Sequence, residues 1–121
     1  MKFAFFLPEE YLPKNFKYPE SYNQLAMGKL PNIDPWHFYE NVDKLIFHFK
    51  GLKERYPKRI LVPFARRWDT DDVSCFDGDA FIDNPQVLLI HDWAGPGYEE
   101  RKRRKDFTEW LDVVMFLNQT L

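Results

Sequence analysis

Between Trp68 and Trp93 the chain carries seven aspartates and no lysine or arginine, although its formal net charge is only -2. Carboxylates at this density can ligate a hard cation, cap tight turns or present a negative surface to a basic partner. Asp69, Asp71 and Asp72 alternate nearly as calcium ligands would, and Asp77-Gly78-Asp79 repeats the theme. Calcium takes roughly six to eight oxygens, however, and the glycine spacing and distal glutamate of a calcium loop are missing. No metal and no cofactor is therefore expected. Turn chemistry accounts for many such aspartates, because the side chain hydrogen-bonds nearby backbone and tolerates unusual dihedrals. Turns seldom need this many charges with no counter-charge nearby, so Asp69, Asp71, Asp72, Asp77 and Asp79 are equally well read as an acidic face that docks a basic partner. Two aromatics flank the following Ala-Gly-Pro-Gly; Trp93 is expected to anchor that loop and Tyr98 to be the exposed contact.

Catalysis finds less support. His91-Asp92 reads like half of a charge relay, but consecutive strand side chains point to opposite faces and do not meet. Cys75 has no histidine at an obvious partnering position and is expected to be a buried, inert apolar residue. His37, His48 and His91 are too scattered for zinc, and no G-x-S-x-G elbow, glycine-rich phosphate loop or H-x-x-x-H pair occurs. The chain is not expected to be an enzyme, with no catalytic residue assigned; a small metal-dependent hydrolase would require the aspartates to converge on an ion. Arg101-Lys102-Arg103-Arg104-Lys105 is the kind of run that touches nucleic acid. Glu99 and Glu100 precede it, Asp106 follows it, and the acidic joints would repel a phosphate backbone. It is read as a solvated face, a partner for those aspartates, or the basic part of a mixed-charge docking surface, and no nucleic-acid partner is expected.

The elements that position these residues follow from periodicity. Arg59–Arg66, Val73–Phe76 and Val87–Ile90 are short runs rich in β-branched residues and bounded by turn residues, expected as neighbours in an antiparallel meander. Pro63 cannot donate a ladder hydrogen bond, which places the first strand at an edge or at a bulge. The third is apolar on both faces and is expected to lie centrally. Helices are expected over 19–27, over 42–55 with Asn41 as cap, and from Asp106, where Glu109 completes a capping box and Phe107, Trp110, Leu111, Val114 and Leu117 face inward. Trp36-His37-Phe38-Tyr39 is a short strand or an aromatic lid, and residues 1–36 are otherwise broken up by proline. With 121 residues, 45% hydrophobic and 18% aromatic, the chain reads as one α+β domain over 1–121. MKFAFFLPEE lacks the length and cleavage site of a leader, no run approaches the roughly 20 apolar residues of a membrane span, and the one cysteine suits a reducing compartment. A cytoplasmic location without a membrane partner is expected.

Three phrases, PFARRWDTDDVSCFDG, VLLIHDWAGPGYEER and DFTEWL, resemble the SUKH superfamily, or Smi/Knr-type domains, across roughly residues 56 to 112. The matching positions are Pro63 to Arg67, Asp69 to Asp72, Cys75 to Asp77, then Ile90, His91, Asp92, Trp93, Ala94, Pro96, Gly97, Tyr98 and Glu99. LPEEY and Met27-Gly28 only faintly echo the opening of such domains. The resemblance implies an antiparallel meander flanked by helices, no catalytic activity, and a role in binding another protein. Many such proteins are bacterial immunity proteins that neutralise a nuclease or another toxin in the cytoplasm, so it implies a protein toxin as partner, basic if the acidic face is its contact. A regulatory or adaptor module would share the same fold and face.

Overall fold

The computed structural model describes residues 5–79, 83–91 and 102–120, with residues 119 and 120 described by backbone alone. Among the described residues, three α-helices form where their caps direct. Helix α1 (Glu20–Met27) follows Pro19, whose extended backbone makes it the N-cap, and closes with Gly28 N–H donating to the Leu25 carbonyl. Helix α2 (Val42–Arg55) starts where Asn41 Oδ1 accepts from the N–H groups of Asp43 and Lys44, at 2.8 and 3.2 Å. Lys53 and Arg55 complement the dipole in its last turn. Helix α3 (Phe107–Thr120) begins with a reciprocal cap: Asp106 Oδ1 accepts from Glu109 N–H, and Glu109 Oε1 accepts from Lys105 N–H, both at 2.9 Å.

The sheet is a five-stranded antiparallel meander in sequence order: β1 (Trp36–Phe38), β2 (Leu61–Arg67), β3 (Asp72–Asp77), β4 (Val87–His91) and β5 (Arg103–Arg104). The three expected strands are β2, β3 and β4; Trp36–Phe38 adds an edge strand, and two arginines of the basic run form the other edge. β4 is flanked on both sides, as its two-faced apolar pattern demands. Pro63 lies inside the sheet, and the register slips between Pro63 and Ala65, so of edge and bulge it is the bulge that accommodates the missing N–H. The slip turns both Phe64 and Ala65 into the main core.

The sheet buries both faces. Leu61, Val73, Cys75, Leu88 and Ile90 pack with Leu52 and Tyr56 from the end of α2. Val62, Phe64, Phe76 and Val87 pack on the other face with Tyr22 of α1, Phe107 and Trp110 of α3, and Phe5, Leu7 and Phe16 of the amino-terminal arm. Tyr22 is ringed by aromatic side chains, and its hydroxyl donates to the Phe5 carbonyl at 2.8 Å. Burial pushes the phenols of Tyr18 and Tyr22 well above the ordinary range. Leu117 departs from the expected inward stripe: it is 51% exposed, whereas Trp110 and Val114 on the same helix are buried.

Ser74 is the buried polar residue of the core, and its Oγ accepts a 2.8 Å hydrogen bond from Trp110 Nε1. Removing the acceptor leaves a desolvated indole N–H without a partner. Ser74→Ala should therefore cost about 1–2 kcal/mol, read as a lower urea midpoint with an unchanged slope. An unchanged midpoint would mean that water replaces the hydroxyl.

Candidate protein-binding surface

The turn between β2 and β3 presents three of the expected aspartates. Arg67, at the end of β2, grips Asp69 with both prongs of its guanidinium, Nε to Oδ1 and Nη2 to Oδ2, each at 2.9 Å. That bond holds the exposed Asp69 carboxyl below the usual carboxylate range. Thr70 Oγ1 accepts from Asp72 N–H at 3.2 Å, and Trp68 N–H donates to the Pro35 carbonyl at 3.0 Å. The tip is thus fastened to its own strand and to the segment before β1. Asp71 is exposed, with no hydrogen bond or ion pair among the described residues. Asp72 faces His91 across the β3–β4 ladder, and Oδ1 lies 2.7 Å from Nδ1.

Trp68 is 68% exposed at this tip and lies flat on His37, ring centroids 3.8 Å apart and planes 20° off parallel. Sequence reasoning overlooked this pair, since Trp68 looks like a strand-end core residue until β1 is known to lie beside β2. Burial, chiefly, and then the nearby Arg66 and Lys44 lower the His37 pKa, outweighing the Phe38 backbone bond and Glu40. The unfolded chain therefore takes up a proton that the folded imidazole resists. Stability should fall as pH drops below about 6.5, and His37→Gln should flatten that part of the profile. Thermal melts at closely spaced pH values would show it; an identical profile in the variant would refute the assignment.

Asp77 and Asp79 lie at the far end of β3, about 17 Å from Asp72 by strand geometry. They hold Arg59, whose Nε donates to Asp79 Oδ2 at 2.7 Å and whose Nη2 lies 3.3 Å from Asp77 Oδ1. Asp77 also accepts from Asp79 N–H, and Asp79 from Ile60 N–H. The five aspartates consequently form two groups. The expectation that no counter-charge stands nearby is corrected by Arg67 and Arg59, of which Arg67, two residues from Asp69, was visible in the sequence. His91 finds its carboxylate across the ladder in Asp72 rather than next along the chain. Asp92, Trp93 and Tyr98 lie outside the described residues. Among the described residues, Cys75 is buried and in no disulfide, no three His, Cys, Asp or Glu side chains converge as metal ligands, and no helix is long and apolar enough to cross a membrane.

No protein-family model matches the chain, and neither do the curated proteins or the solved structures.

Proposed function

We propose that the chain is a non-catalytic protein-binding module of the immunity type, a SUKH-like domain that neutralises a basic protein toxin in the cytoplasm through the β2–β3 hairpin tip. The observation that carries the reading is the rigid tip itself, where an exposed tryptophan stands among three aspartates. Tryptophan is enriched among the residues that dominate binding energy, and fixed carboxylates steer encounter with a cationic surface. A bidentate Arg67 grip and a His37 platform mean that little side-chain freedom remains to be lost on docking. The α+β meander and the sequence phrases support the family side of the reading. A regulatory adaptor would use the same surface and differ only in its partner.

A reading frame directly upstream that ends in a toxin-like domain would supply the partner, and rescue of growth on co-expression would test the pairing. Stopped-flow binding then tests the surface. Neutralising Asp69, Asp71 and Asp72 together to asparagine should slow association far more than it speeds dissociation, while Trp68→Ala should chiefly speed dissociation, by about tenfold or more. Wild-type association should weaken with salt, as the Debye length contracts from about 10 Å at 0.1 M to about 3 Å at 1 M. Asp77→Asn with Asp79→Asn is the control, expected to leave association unchanged. A salt-independent rate, unaltered in the triple variant, would sink the hairpin reading.

A further inference from the structure

The sheet face that α3 only partly covers opens into a groove of about 1120 Å³ between β4, β5 and the second half of α3. Leu89, Val113 and Leu117 supply apolar lining, and Lys102, Arg103 and Arg104 form the β5 side. Two further charged residues, Arg67 and Asp72, stand at its hairpin end, but each already has a partner, Asp69 and His91 respectively. Among the described lining residues, Lys102, Arg103 and Arg104 outnumber the one carboxylate, Asp72, so the groove carries net positive charge. Among the described residues, Arg104 Nε is buried without a hydrogen-bond partner, which leaves its guanidinium with unused donor capacity. The ion pairs shown by the hairpin and Asp77–Asp79 aspartates go to Arg67 and Arg59, while Asp72 contacts the His91 ring.

We propose that this groove binds an extended acidic peptide segment carrying aliphatic side chains, with carboxylates on Lys102 and Arg104 and an aliphatic side chain against Leu89, Val113 and Leu117. Charge complementarity selects the sign of the partner, and the apolar lining demands more than charge. The volume exceeds the roughly 300–1,000 Å³ of small-molecule sites and suits a length of chain. Single-stranded nucleic acid fits less well: it needs aromatic faces on which bases stack, and the aromatics lining this groove, Trp36 and Trp110, are buried in ring contacts with each other. The site is distinct from the outward side of the hairpin tip, so its test does not depend on the toxin.

Selection of a displayed library of random short peptides on the immobilised full chain should enrich net-negative sequences with Leu, Ile or Val between the acidic residues. Fluorescence anisotropy of the strongest synthetic peptide should then show saturable binding that weakens by about tenfold in Lys102→Glu and in Leu117→Asp. Both positions are exposed, so melting should be unchanged in both variants. Asp71→Asn should bind the peptide as wild type does, separating this groove from the hairpin. Polyglutamate should bind much more weakly, for want of aliphatic contacts, and an unlabelled thymidine oligonucleotide should not displace the peptide. A selection without acidic–aliphatic enrichment, affinity unaltered by either variant, equal binding of polyglutamate, or displacement by the oligonucleotide would each overturn the proposal.

Discussion

Trp110→Ala should lower stability by about 3–5 kcal/mol, against a total of roughly 5–15 kcal/mol for a domain of this kind. The indole is fully buried. It meets Phe64 edge-on at 4.8 Å, Trp36 edge-on at 5.7 Å and Phe107 stacked at 5.7 Å, and it donates to Ser74. Truncation opens a cavity where α3 meets the sheet and removes a packing partner from rings on three sides. A fall in melting temperature of about 10–20 °C follows from the usual entropy of unfolding at this chain length. Trp110→Phe, which keeps much of the ring, should cost markedly less. Melting within a degree or two of wild type in the alanine variant would mean that α3 does not dock through this residue.

Gly78→Ala should be the next most damaging change, costing about 1–3 kcal/mol through a clash that the surroundings cannot relieve. An added Cβ would stand 2.7 Å from the Ile60 carbonyl oxygen and 2.9 Å from Ile60 Cγ2. Gly78 N–H itself donates to that carbonyl at 2.9 Å, so the two backbones cannot separate without breaking the closure of β2 onto β3. The Arg59 clamp on Asp77 and Asp79 sits on the same closure and would be strained with it. Gly51→Ala is the informative contrast. There the nearest atoms belong to the flexible Arg55 guanidinium, and a mid-helix alanine gains up to about 1 kcal/mol of propensity. Urea midpoints should therefore move in opposite directions, and a Gly78 variant as stable as wild type would contradict the close approach.

Local patterns carried most of the architecture. The 3.6-residue spacing of Leu45, Phe49 and Leu52, with Asn41 before it and Pro57 after it, determines α2 to the residue, because capping and periodicity act within one turn of the chain. Asp106 and Glu109 determine the start of α3 in the same way, and the short apolar runs Val73 to Phe76 and Val87 to Ile90, bounded by turn residues, determine the inner strands. Pro63 announced a local fault, but only the neighbouring strands made it a bulge rather than an edge. Tertiary structure alone decided the pairings that build the surface. Asp72 meets His91 because an antiparallel register sets residues nineteen apart side by side, and Arg59 reaches Asp77 and Asp79 by the same means. Trp68 rests on His37 because β1, thirty residues earlier, completes the sheet. The sequence by itself determined that aspartates crowd the joints. Whether a given carboxylate is neutralised by a cation or left to face solvent depends on distances between strands, which no local pattern encodes.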